Sequence, residues 1–275
     1  MNKTSAQLDL RSRELRKVII GMLESAGRGH IASALSVMEI VRVLYDDILQ
    51  YKPSEPDWSD RDRFILSKGH GCMALYAILA DKGFFPEAEL KEFCKPDGML
   101  GGHPEFPRVP GVEFSTGALG HGLPVGVGMA IAARQSGQNH RVFVVLGDGE
   151  SNEGSVWEAA LSAAQHGLDN LVVLVDYNKQ QSYSTTADVI DLEPFADKWK
   201  AFRFATREVD GHDVSQLKDV LSSVPFEPGR PSAVICHTIK GRGFSFVEQD
   251  LSWHHKNRIS DDEITSLIAE LRLDE

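Results

Sequence analysis

Apolar runs and helical repeats alternate along this chain. Residues 142–146 (VFVVL), 171–175 (LVVLV) and 232–237 (SAVICH) are continuous apolar or nearly apolar runs. That is the pattern of strands covered on both faces of a parallel sheet. Shorter runs at 63–66 and 203–209 predict two more strands. Between them the apolar spacing changes to that of amphipathic helices. Helices are expected over 8–24, with Leu15, Val18, Ile19 and Met22 inward, and over 34–49, with Leu35, Met38, Ile40, Val41 and Leu44 inward. Further helices are expected over 72–82, 87–93, 123–134, 151–167, 194–200, 214–223 and 264–271. Such alternation predicts an α/β fold: a doubly wound parallel sheet of about five or six strands with helices on both faces.

The connections are uneven. Residues 51–60 form a proline-containing loop, and 182–191 are polar without periodicity. The Gly/Pro-rich stretch 95–114 contains Gly101-Gly102-His103-Pro104, and its length and content predict a functional loop. Residues 238–256 are irregular and carry Trp253-His254-His255. No repeat, low-complexity segment or linker divides the chain, so 1–275 is expected to form a single domain.

Composition narrows the function. The formal net charge of -11 leaves no basic footprint for nucleic acid and disfavours anionic membranes. A phosphorylated substrate would need a local basic patch. Three cysteines, an odd number with no CxxC, predict free thiols in a reducing cytoplasm. No signal peptide is visible in residues 1–17, and no apolar run is long enough to predict a transmembrane helix.

Chemistry concentrates in residues 142–181. Strand, glycine turn, helix and strand make a right-handed βαβ unit. Its strands end in Gly147-Asp148-Gly149-Glu150 and Asp176-Tyr177-Asn178, at the sheet edge where ligands of open α/β folds bind. Asp148 and Asn178 should therefore meet although they are far apart in sequence. A carboxylate and an amide oxygen are hard ligands that suit Mg²⁺. An ion with open positions would take phosphate oxygens, which the neighbouring helix N-terminus also favours. The competing use of either residue is to cap a turn or helix.

Five motifs identify a resemblance. LSKGHG (66–71), GGHPE (101–105), STGALGHGL (115–123), GDGESNEG (147–154) and DYNKQ (176–180) resemble those of the transketolase family in order and spacing. The similarity runs from about Gly27 to about Lys256. It implies a thiamine-diphosphate-binding fold, with Mg²⁺ held by Asp148, Asn178 and the backbone carbonyl of Gln180. It implies that Gly149 lets the backbone approach the diphosphate and that Gly117-Ala118-Leu119 turns beneath the cofactor, with Ala118 where the family often has proline. Glu150 and Glu153 are read as structural first-turn acids.

Of ten histidines, His30, His70, His103 and His254 fall in turns at the expected active edge, and His121 follows Gly120. The resemblance gives His70 a diphosphate contact, His103 the donor sugar's hydroxyls, and His30 a role at the carbonyl, polarising it or shuttling a proton. It places His254 by the cofactor and substrate oxygens. Imidazole suits these tasks because its pKa lies near neutrality. Two departures are visible: Ile31-Ala32 replaces the usual Pro-Gly, and His255 stands where glycine is usual. Both are expected to bear on substrate-facing parts.

Full transketolases are similar to this chain only in their first domain; the aminopyrimidine and C-terminal domains are expected to be absent. The family's cofactor-ionising glutamate lies on the aminopyrimidine domain. The resemblance therefore implies the N-terminal subunit of a split transketolase, active with a partner subunit in a heterotetramer of two copies each. It would move a two-carbon ketol unit from a ketose phosphate to an aldose phosphate, as in pentose phosphate metabolism. The alternatives are the alpha subunit of a 2-oxo-acid dehydrogenase, which leaves the sugar-facing histidines without a task, and a non-catalytic binding protein on the same fold.

Overall fold

The computed structural model describes residues 7–271; residues 1–6, on which part of the no-leader expectation rests, lie outside the described residues. Among the described residues the sheet has five strands. These are β1 (Arg63–Leu66), β2 (Val142–Gly147), β3 (Leu171–Tyr177), β4 (Ala205–Asp210) and β5 (Ser232–His237). They lie in the order β1-β2-β3-β5-β4 and every pairing is parallel. The register sets Leu66 against Val145, Gly147 against Asp176, and Asp176 against Cys236. The C-terminal ends of all five strands therefore share one edge.

Side chains alternate across the sheet, so each strand feeds two cores. Phe64, Leu66, Phe143, Val145, Val172, Leu174 and Val234 face one layer. That layer contains α1 (Leu10–Ala26), α2 (Ile31–Val43) and α3 (Cys72–Asp81). Ile65, Val142, Val144, Leu146, Val173, Val175 and Ile235 face the other, with α4 (Gly122–Gln135) and α5 (Gly154–Gln165). The short α6 (Thr186–Val189) interrupts the stretch expected to be irregular. Next, α7 (Phe195–Ala201) joins the second layer through Phe195 and Trp199. Leu217 of α8 (Val214–Ser222) and Leu267 of α9 (Asp261–Glu270) join the first. Among the described residues no helix is long and apolar enough to cross a membrane.

Three helices differ from expectation. The one expected over 34–49 begins at Ile31 and widens into a π turn over Leu44–Ile48, where Leu49 N–H donates to the Leu44 carbonyl at 2.8 Å. The one expected over 151–167 is broken. A 3₁₀ turn, Gly149–Asn152, precedes an extended Glu153, and α5 begins only afterwards. Glu150 explains the break. Its carboxylate turns inward and accepts from the Gly147 and Gly120 N–H groups at 3.0 and 2.8 Å, and from the Ser67 hydroxyl. Trp157 Nε1–H then captures the Ser151 carbonyl at 2.8 Å. Residues 87–93 likewise wind as a 3₁₀ helix, Glu87–Glu92.

A charged pair of zero exposure lies in the first layer. Glu39 on α2 receives Arg16 of α1 through two bonds, 2.5 and 2.9 Å, and His212 Nδ1 at 2.8 Å. Because Ile239 N–H donates to His212 Nε2 at 2.8 Å, the imidazole proton sits on Nδ1 and points at Glu39. Arg16 also donates to the carbonyls of Ser12, Leu35 and Arg242. Burial alone would raise the Glu39 pKa; the Arg16 charge and the His212 bond overcome it and hold the carboxyl far below its usual range.

Candidate active site

The turn after β2 and the end of β3 form one cradle. Asp148 is buried; it accepts from Gly149 N–H at 2.7 Å and from Lys179 N–H at 2.5 Å, the second bond crossing to the neighbouring strand end. Asn178 follows β3. Its Nδ2 donates to Ser36 Oγ and Asp176 Oδ2 at 3.2 and 3.3 Å, which fixes its amide orientation, and its Oδ1 accepts from Gln180 N–H at 3.0 Å. The Gln180 carbonyl receives Lys240 Nζ at 3.1 Å. A Cβ on Gly149 would stand 2.8 Å from Gln181 Cγ, so the absence of a side chain here lets Gln181 pack over the backbone beside Asp148. Asp148, Asn178 and Gln180, named from sequence, are thus adjacent.

Charges that the sequence reading missed line the floor. Lys68, 1% exposed at the end of β1, forms an ion pair with Asp176, which is fully buried at the end of β3. Asp176 Oδ1 accepts from Ser36 Oγ at 2.6 Å and from the Thr238 hydroxyl. Burial would raise the Asp176 pKa, yet Lys68 and the two hydroxyls lower it. Asp148 goes the other way: burial and the charge on Asp176 raise it. Burial, with Lys68 near, pulls the Lys240 ammonium down to about 8. A buried carboxylate so reluctant to ionise calls for a further cation. Lys68 and Asp176 carried a signal: a charge closing an otherwise apolar strand must find a buried partner. Lys240, in an irregular loop, had none.

Above the cradle five imidazoles converge. The ring of His30 lies 5.7 Å from His70, 6.0 Å from His103, 6.0 Å from His254 and 4.4 Å from His255, centroid to centroid. Both His254 and His255 therefore face the cluster, the first buried and bonded to Ser182 Oγ at 3.0 Å, the second exposed. Tyr76 Oη supports the 101–105 loop from below by donating to the His103 carbonyl at 2.8 Å. Gly117, Ala118 and Leu119 are exposed on this edge, and a Cβ on Gly117 would lie 3.2 Å from the His103 ring. His121 is exposed, with Nδ1 against the Leu119 carbonyl. One expectation is corrected. Ile31 and Ala32 open α2 with zero exposure and pack into the core, so this departure does not reshape a substrate-facing wall.

His30 and His254 are uncharged at neutral pH, not poised near it. Burial, then the neighbouring His255 and His103, push His30 down to about 4; burial, then Lys240, pushes His254 to about 3. Burial lowers His70 and His103 as well. Unfolded imidazoles accept protons near pH ~6.5 that the folded cluster refuses, so the unfolded state binds more protons as pH falls. Stability is expected to decline from pH 7 toward pH 4. Scanning calorimetry should show a flatter decline for His30→Asn/His254→Asn; an unchanged slope would count against neutral imidazoles.

A ligand fits here. Ser33 Oγ, Thr116 Oγ1, Asn152 Oδ1, Gln180 Oε1, Gln181 Nε2 and His254 Nδ1 are buried polar atoms without a partner among the described residues. They belong to segments meeting at this edge, and buried groups of this kind are costly unless something bonds them. Among the described residues no cluster of three His, Cys, Asp or Glu forms a protein-only metal cage. An ion at Asp148, Asn178 and the Gln180 carbonyl would need further oxygens from a bound molecule.

Residues 10–275 match the family model described as "Transketolase, thiamine diphosphate binding domain". The chain belongs to the transketolase family. It is 43% identical over 258 residues to an apulose-4-phosphate transketolase subunit of Actinobacillus succinogenes, covering 94% of this chain and 92% of that protein. It is 36% identical over 271 residues to the 6-deoxy-6-sulfo-D-fructose transketolase subunit SqwG of Clostridium sp., covering 98% of each. Among solved structures, transketolase from Leishmania mexicana superposes with a TM-score of 0.85 at 27% identity, over 97% of this chain and 45% of that one. The chain thus spans about half the length of that transketolase and nearly all of the two subunits. It is a transketolase-family enzyme subunit of the N-terminal, thiamine-diphosphate-binding kind, and the whole-chain match favours ketol transfer over the 2-oxo-acid dehydrogenase and non-catalytic readings.

Proposed function

We propose that residues 1–275 form the single diphosphate-holding domain of a two-chain transketolase, in which Asp148, Asn178 and the Gln180 carbonyl hold Mg²⁺. The observation that carries this reading is the hydrogen bond joining Asp148 to Lys179, which sets a carboxylate beside Asn178 under five imidazoles. Gly149, the exposed Gly117-Ala118-Leu119 turn, His70 and His254 would hold the cofactor. Once bound, thiamine diphosphate supplies the electron sink for breaking the donor's carbon–carbon bond. The neutral His30 donates a hydrogen bond at the donor carbonyl oxygen and so polarises that carbonyl. His103 holds donor hydroxyls.

A partner subunit supplies the aminopyrimidine domain, its ionising glutamate and the C-terminal domain, in a cytoplasmic heterotetramer of two copies each. Relatives named for apulose-4-phosphate and 6-deoxy-6-sulfo-D-fructose support a ketose donor that carries an anionic group. The test is ketol transfer by the chain with and without its partner. Turnover only in the complex is expected. Absence of thiamine diphosphate binding in calorimetry, with Mg²⁺ and partner both present, would sink the reading. For His103→Ala the donor KM is expected to rise about 10-fold while the cofactor Kd stays within about twofold, since one hydroxyl contact is lost. An unchanged KM would remove His103 from the donor's path.

A further inference from the structure

Beside the imidazole cluster lies a second hollow of about 260 Å³, lined by Arg28, His30, Cys94, His103, His255 and Asn257 among others. Residues between 72 and 103 form one side of it, and two further walls come from residues 28–30 and 255–257. They are clamped where Gly29 N–H donates to the Lys256 carbonyl at 2.9 Å and Lys256 N–H returns a bond to Gly29 at 3.1 Å. Gly27, at φ 67, closes α1 by donating to the Leu23 carbonyl, so Arg28 sits on backbone fixed from both sides. Three of the lining side chains are the hydroxyl-seeking imidazoles of the cluster.

The hollow also has two cations, and they differ. Lys256 is committed: its Nζ is 2.5 Å from Glu263 Oε1 and 4.1 Å from the centre of the Trp253 ring. Arg28 is exposed and has no hydrogen bond or ion pair among the described residues. Among the described residues Arg203 and Arg258 share this lack of a partner, but neither lines the hollow, whereas Arg11, Arg16, Arg42 and Arg141 all find carboxylates on this chain of net charge -11. A guanidinium presents a planar fork that matches two oxygens of a tetrahedral oxyanion.

We infer that Arg28 is a specificity-determining residue: it grips the oxyanion at the far end of the donor ketose, a phosphate monoester or a sulfonate, while His30, His103 and His255 take the hydroxyls. Asn257 on the opposite wall adds an amide donor to the same group. The inference rests on the ketol-transfer reading above and deepens it. It also answers the requirement for local positive charge against an acidic surface, since one guanidinium supplies it without neutralising partners.

The test uses the complex with its partner subunit, loaded with cofactor, as wild type and as R28A and R28K. Three donors are compared: a ketose phosphate, the same ketose without phosphate, and its sulfonate analogue. R28A is expected to raise the KM for the charged donor about 10- to 100-fold, the range for a lost bond to a charged group. Activity with the uncharged ketose and the thiamine diphosphate Kd should stay within about twofold, and R28K should recover part of the loss. A selective loss with the phosphate or with the sulfonate supports the assignment and names the oxyanion. An equal loss on charged and uncharged donors, or no loss, overturns it. Calorimetric titration of the loaded complex with the charged ketose reads the same contrast without turnover. A wild type that binds the charged sugar through Arg28 but transfers nothing would sink ketol transfer and leave the subsite standing.

Discussion

Asp148→Ala is expected to abolish Mg²⁺-dependent retention of thiamine diphosphate and leave the fold intact. Groups one step removed from a metal are worth about 10–100-fold in affinity, so loss of a direct ligand should exceed ~100-fold. The fold should tolerate the change because burial and Asp176 already oppose the Asp148 charge, although two N–H acceptors are lost. Asp148→Asn keeps one acceptor oxygen and the shape, and should lose the metal while melting near wild type. Calorimetry with cofactor and Mg²⁺, beside a thermal melt, reads both effects. Wild-type affinity in either variant would move the ion elsewhere.

Glu39→Ala is expected to cripple the fold. It strands the Arg16 guanidinium, which has zero exposure, without its counter-charge, a change of about 3–5 kcal/mol. Against a typical total of ~5–15 kcal/mol that is severe, and a fall in Tm of roughly 10 °C is expected. The contribution follows pH with a definite sign. Glu39 is held below its ordinary pKa, so its stabilisation is complete above ~4.3 and fades as pH drops toward the folded value. The variant should lack that acid-side loss. Urea melts at pH 7 and pH 3.5 separate the cases; equal wild-type and variant midpoints at pH 7 would contradict the stranded-charge argument. Because Arg16 holds the Arg242 carbonyl and His212 holds Ile239 N–H, weaker cofactor binding should accompany the loss.

The strands were legible in the sequence because burial on both faces writes itself as unbroken apolar runs; 63–66 and 232–237 match the observed bounds. The helices were legible where one face meets a core, as with Val156, Ala159, Ala160 and Ala163. Legibility failed where a polar side chain overrides periodicity. Glu150 breaks its helix by reaching back to Gly147 and Gly120, and no local pattern announces that reach. At the site, Asp148 and Asn178 were readable because parallel topology sends both strand ends to one edge. The imidazole cluster was readable as motifs but not as a geometry, since His30 and His255 meet only through folding. Arg28 and Lys240 lie in loops whose conformation depends on distant bonds, so sequence spacing could not place them.

The pairing of Gly29 with Lys256 has a consequence for how the enzyme is made. At ~5–20 residues per second, His30, His70 and His103 are all synthesised well before the segment that seals the histidine cluster exists. A nascent or clipped chain ending short of His254 carries three of the five imidazoles and no seal. Translation therefore completes the histidine cluster only when residues 254–256 have been made, and fragments that stop before them are born without it.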